Sequence, residues 1–136
     1  MNLKGYQKKS IEKLVNSMVE QLNIDGMRRK IVFQAPTGSG KTVMTTEALC
    51  QLHETIADSD CQYSRVAYIW IAPNALHIQS YHSMKNAFTE TNRLTPVVYD
   101  VLDLGNDGYI HPGEVFFVNW QSINKEKNGR LYDFPW

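Results

Sequence analysis

No apolar run in the chain approaches the roughly 18 residues that a membrane-crossing helix needs. Lysines stand near the N-terminus, but no apolar segment follows them as in a secretory signal, so the expected location is cytoplasmic, with no membrane partner. Cysteine is scarce, with 2 in 136 residues. Cys50 and Cys61 form neither a C-x-x-C pair nor a metal spacing, which argues against a disulfide framework or a zinc ribbon. His53 follows Cys50 at helical spacing, yet two ligands do not make a zinc site. Excess charge is also missing, because 14 Lys and Arg balance 14 Asp and Glu. A global basic field therefore gives no argument for nucleic acid. Residues 1–30 do carry seven basic against three acidic side chains, and residues 31–136 seven against eleven. That basic segment could attract phosphate or be plain solvated surface, so charge does not choose a partner. No repeat or low-complexity segment is present. With 43% hydrophobic and 21% charged residues, the composition is that of one ordinary globular domain able to bury a core.

What is present concentrates at residues 35–42, Ala-Pro-Thr-Gly-Ser-Gly-Lys-Thr. Glycines at 38 and 40 let the chain curl until successive backbone N–H groups point inward, a cradle suited to phosphate oxygens. Thr37, Gly38, Ser39 and Gly40 form that cradle, and Lys41 would bridge the β- and γ-phosphates of ATP. Thr42 would place its hydroxyl on Mg²⁺, which makes Lys41 and Thr42 the candidate catalytic pair. Ala35 stands where the strict phosphate-loop pattern has glycine. The context supports the motif nonetheless: the β-forming Ile31, Val32 and Phe33 precede it, and no proline or glycine interrupts residues 41–57.

Elsewhere the pattern alternates between helix and strand. Ile11, Leu14, Val15, Met18, Val19 and Leu22 make one apolar stripe of a helix, which Asn23, Asp25 and Gly26 should end. Residues 65–72 are nearly continuous in β-formers and predict a strand buried on both faces, with Tyr68 and Trp70 in the core. Pro73 stops it, and Asn74 is placed to cap a helix over residues 75–89. Strands are expected at residues 96–102 and 115–119, separated by a turn-rich stretch. The order indicates an α/β fold with a parallel sheet and crossover helices.

With its neighbours, the loop resembles motif I of superfamily 2 helicases and translocases. Gly5-Tyr6-Gln7 resembles the Tyr-Gln element upstream of that motif, which implies adenine recognition by Tyr6 and Gln7; an amide can donate and accept at once. Ile71-Ala72-Pro73-Asn74-Ala75-Leu76-His77-Ile78-Gln79 resembles motif Ia, which lies on the nucleic-acid backbone. Val118-Asn119-Trp120-Gln121-Ser122-Ile123 resembles a segment of the restriction-helicase branch, the motor subunits of type III restriction enzymes and related DEAD/DEAH-box-like proteins. The resemblance spans nearly the whole chain and implies a RecA-like P-loop NTPase fold. It also implies ATP and Mg²⁺ as cofactors, and nucleic-acid contacts at Pro73, Asn74, Gln79, Gln121 and Ser122. DNA is expected rather than RNA.

The next landmark of that superfamily, an apolar strand ending in Asp-Glu-x-His, does not occur before Trp136. Asp100 ends an apolar run, but Val101 follows where glutamate should stand. Residues 1–136 are therefore expected to be the N-terminal part of the first RecA-like domain, an incomplete domain without Walker B or the second motor lobe, which would be its partner. Such a chain should bind nucleotide far better than it hydrolyses it, because phosphoryl transfer needs all those parts. The alternative is a stand-alone P-loop module, nucleotide-binding or regulatory, with no work on nucleic acid. A P-loop kinase would need lid arginines and an acceptor site that are not visible.

Two further patterns invite sharper readings. Residues 103–114 match an EF-hand loop at several positions, but Gly105 replaces a ligand and the flanks read as strands. Trp120 could stack a base, although a tryptophan just after a buried strand reads first as core. Gln121 and Ser122 fit either backbone contacts or a cap for a helix over residues 123–127.

Overall fold

Lys4 enters the first helix extended, and its N–H donates to the Gln7 side-chain oxygen at 2.9 Å. This reach-back bond satisfies a donor that a helix start would otherwise leave open. Helix α1 spans Gly5–Leu22 and closes where the Asn23 N–H reaches Val19 O at 3.1 Å. A computed structural model describes residues 3–24, 30–58, 66–91, 94–98 and 109–123, and the chain divides into two units, Met1–Val66 and Ala67–Trp136.

In the first unit α1 packs on α2, Lys41–Asp58, through Ile11, Val15, Met44 and Ala48. Leu14, Met18 and Val19 flank this cluster, so the expected apolar stripe is the packed face. Ala48, fully buried, offers no bulk to hold the helices apart. The expected strand at Ile31, Val32 and Phe33 does not form: residues 30–36 carry no regular secondary structure. A strand exists only as a rung of a ladder, and no described segment pairs with this one. Val32 is accordingly 81% exposed, while Phe33 and Ala35 alternate inward onto the α1–α2 cluster. On α2, Cys50 is buried, and desolvation by burial lowers the pKa of His53. Among the described residues no three His, Cys, Asp or Glu side chains come together as a metal site, and no helix is long and apolar enough to cross a membrane. Cys61, the other cysteine, lies outside the described residues.

The second unit is a three-stranded parallel sheet in the order β1-β3-β2, with β1 at Tyr68–Ala72, β2 at Thr95–Val98 and β3 at Glu114–Asn119. Residues 99–108, with Asp100 and most of the EF-hand-like stretch, lie outside the described residues. The described end of that stretch is a turn: Glu114 opens β3, and its carboxylate accepts the His111 N–H at 2.7 Å. The central strand β3 buries Val115, Phe116, Phe117 and Val118 almost completely, as a strand covered on both faces must. Phe116 and Val118 pack with Ile69 and Val97 on one face. On the other, Phe117 meets Tyr81 edge-on at 5.6 Å, from helix α3, Leu76–Thr91. That helix buries His77, Met84 and Phe88 along the same stripe. The expected two-sided burial is seen at β3 instead: among the described residues β1 pairs with β3 alone, and Ile71 stays 47% exposed.

The register aligns Ala72 of β1 with Asn119 of β3. Parallel strands that end together bring their following loops side by side, and ligands of open α/β sheets bind at such ends. Here those loops are the Pro73–Asn74 turn and the start of α4, Trp120–Ile123.

Candidate functional site

The first unit carries the phosphate-loop residues. Gly38 and Gly40 sit at φ +81° and +86°, a region that side-chain-bearing residues rarely adopt. Between them Ser39 folds back, its N–H and hydroxyl donating to Pro36 O at 3.1 and 2.6 Å. The Ser39 carbonyl is turned toward α1, where it accepts from Tyr6 Oη at 3.1 Å and Gln7 Nε2 at 3.0 Å. With that carbonyl held away, Gly40 O accepts the Met44 N–H at 2.9 Å and starts α2. The first-turn amides of α2 have no acceptor within the helix, so they and the helix dipole favour an anion. Thr37, Gly38, Lys41 and Thr42 are exposed around this end. Among the described residues the Lys41 ammonium has no ion-pair partner and the Thr42 hydroxyl no hydrogen bond. The hydroxyls of Thr45 and Thr46 instead turn back onto Lys41 O and Thr42 O at 2.7 and 2.6 Å.

The structure thus brings Tyr6 and Gln7 onto the loop backbone. Gln7 is 9% exposed, with one amide end on the Lys4 N–H and the other on Ser39 O. One N–H and one lone pair of that amide remain. Tyr6 is half exposed. A methyl added at Gly40 would sit 2.6 Å from Gln7 Nε2, in addition to the cost of its positive φ, whereas one added at Gly38 meets nothing within 4 Å. Gly40→Ala is therefore expected to cost about 2–3 kcal/mol of stability and Gly38→Ala about 1 kcal/mol, from strain alone. Thermal melts of the two variants check the difference. Equal losses would show that the contact between Gln7 and the loop does not constrain Gly40.

In the second unit Asn74, Asn119 and Gln121 form one polar cluster. Asn74 adopts φ +52°, so it is the bend of a turn, closed by Leu76 N–H to Pro73 O at 3.1 Å, and not the extended cap expected from sequence. Its N–H donates to Gln121 Oε1 at 3.0 Å, and its side-chain oxygen accepts from Gln121 Nε2 at 2.9 Å. Its carbonyl accepts from Asn119 Nδ2, with His77 Nδ1 3.1 Å away. Asn119 Oδ1 in turn accepts the Gln121 N–H at 2.7 Å. Asn119 is thus the cap of α4, which begins at Trp120, before the 123–127 helix for which the sequence offers Gln121 and Ser122 either as caps or as backbone contacts. An asparagine ending a strand was the signal available for this cap. The Ser122 side chain and residues 124–127 lie outside the described residues. Trp120, read first as core, is 50% exposed because it follows the last paired residue of β3. Pro73 and Gln79 are exposed, and Gln79 helps line an open depression of about 540 Å³ with Asn74, Ala75, Leu76, Ile78 and His82.

No curated protein and no solved structure matches the chain. A family model does: the one described as type III restriction enzyme, res subunit, matches residues 1–134. The phosphate loop of the first unit and the parallel sheet of the second are each features of that family's RecA-like P-loop domain, which points to a nucleotide-dependent, helicase-like motor region. On this match, and with the loop geometry that agrees with it, the chain belongs to the type III restriction enzyme res-subunit family within helicase superfamily 2.

Proposed function

We propose that the chain is the ATP-binding portion of a DNA-directed, restriction-enzyme-like helicase or translocase, acting in the cytoplasm with the remainder of the motor as its partner. The observation that carries this reading is the loop itself. Positive-φ glycines flank a carbonyl tied back to α1, leaving open first-turn amides beside Lys41 and Thr42. The residues fit the nucleotide. Thr37 to Gly40 would cradle its phosphates, Lys41 would bridge the outer two, and Tyr6 with the free part of the Gln7 amide would meet the adenine. The Thr42 hydroxyl would hold Mg²⁺, which when bound would neutralise charge on the transferred phosphoryl group.

Nucleic acid is assigned to the strand ends of the second unit, along Pro73, Asn74, Gln79 and Ser122, with Gln121 bonded to Asn74 among them. Support comes from the common register of β1 and β3 and from the exposed Trp120, a surface for base stacking beside that cluster. Anisotropy titration of labelled single-stranded DNA with the chain should show weak binding that falls as salt rises. RNA of the same sequence should bind less well, and Gln79→Ala should weaken DNA binding about threefold to tenfold. A chain that binds Mg·ATP but no nucleic acid would be a nucleotide module instead, and the motor reading would fall.

A further inference from the structure

We propose that Gln121 is a positioning residue: it holds Asn74 in its left-handed conformation and so sets the grip of the β1–α3 turn on single-stranded DNA, an inference that rests on the nucleic-acid reading above. Asn74 at φ +52° is the one non-glycine residue with positive φ among those described. Asparagine tolerates that region better than most side chains, but it still prefers the extended and right-handed regions. Something must therefore hold it there.

The surroundings identify what does. Gln121 grips Asn74 twice, accepting from its backbone N–H at 3.0 Å and donating to its side-chain oxygen at 2.9 Å. These two bonds close a ring that constrains both the backbone and the side chain of Asn74. Asn119 completes the clasp by donating to the Asn74 carbonyl while capping the Gln121 N–H at 2.7 Å. Asn74 and Gln121 are exposed, so water could satisfy every one of these groups if the clasp opened. What the clasp supplies is conformation and not the rescue of buried polar atoms.

Direction follows from connectivity. Rotation at Asn74 would swing Ala75 and the first turn of α3, where Leu76, Ile78 and Gln79 line the open depression. Each end of the Gln121 amide is bonded to Asn74, which leaves one N–H and one lone pair that could also reach DNA. Positioning and direct contact predict different coupling to residue 74, and a double-mutant cycle separates them.

The experiment titrates a fluorescein-labelled oligothymidylate with the full 136-residue chain, below the melting midpoint of every variant. Gln121→Ala should weaken binding about fivefold when residue 74 is asparagine, but less than about twofold in the Asn74→Gly background, where positive φ needs no support. Amide hydrogen exchange supplies a readout that does not involve DNA: Gln121→Ala should speed exchange at Asn74 about tenfold. An equal loss in both backgrounds would overturn the proposal by making Gln121 a contact. No loss at all, or unchanged exchange at Asn74, would overturn it as well. Failure of the natural chain to bind the oligonucleotide would sink the nucleic-acid reading and this role together, whereas binding without coupling sinks this role alone.

Discussion

Lys41→Ala lowers the affinity of the chain for Mg·ATP by about tenfold to a hundredfold and leaves its thermal stability nearly unchanged. The size follows from what is removed, a charge-assisted hydrogen bond to phosphate worth about 1.5–3 kcal/mol, with 1.4 kcal/mol per factor of ten. The absence of a stability cost follows from the structure. Lys41 is exposed at the first position of α2, and no described residue pairs with its ammonium. Its removal therefore leaves no buried group unpaired, and surface changes of that kind fall within about 0.5 kcal/mol. Titration with a fluorescent ATP analogue, alongside a melt of each variant, separates the two quantities. Lys41→Arg should recover only part of the affinity, since a planar fork does not replace a compact ammonium in a tight backbone cradle. Unchanged affinity for Mg·ATP in Lys41→Ala would remove the phosphate-loop reading altogether.

The largest expected stability loss is at Phe117. It lies at the centre of β3, fully buried, paired in register with Trp70 on one side and Val98 on the other. Its ring meets Tyr81 of α3 edge-on at 5.6 Å and the Trp70 ring at 6.3 Å. Because neighbouring strands hold β3 on both sides, the backbone cannot collapse into the space that a lost ring would leave. Phe117→Ala should cost about 3–5 kcal/mol. Set against a typical domain stability of about 5–15 kcal/mol, such a loss lowers the melting temperature by about 10 °C or more. Phe117→Leu keeps most of the volume and should cost less than about 1.5 kcal/mol. Calorimetry or circular dichroism of the two variants checks the order. Comparable melting of Phe117→Ala and the natural chain would contradict the packing of α3 on this face of the sheet.

The legibility of this chain followed the range of the interactions involved. The α1 stripe was readable because residues three and four apart share a helix face, whatever the helix later meets. The phosphate loop was readable for a similar reason: Gly38 and Gly40 adopt positive φ from their own lack of a Cβ, and Lys41 and Thr42 open a helix that local propensity already favours. The Ile31 to Phe33 segment shows the opposite case. Its β-forming residues describe a preference, but strand formation is a property of a ladder, and none of the described residues supplies a second rung. Burial of the 65–72 segment went astray for a related reason, because only the sheet order β1-β3-β2 decides which strand is central.

By itself the sequence determined the α/β class, the nucleotide loop and the family resemblance, all of which rest on contacts within a few residues or on a fixed order of short motifs. Tertiary structure alone decided that Tyr6 and Gln7 hold the Ser39 carbonyl, more than thirty residues away. It also decided that Gln121 closes on Asn74 across 47 residues. Those bonds depend on side-by-side strand ends and on a packed helix pair, and no local propensity encodes which distant carbonyl or amide a side chain will find.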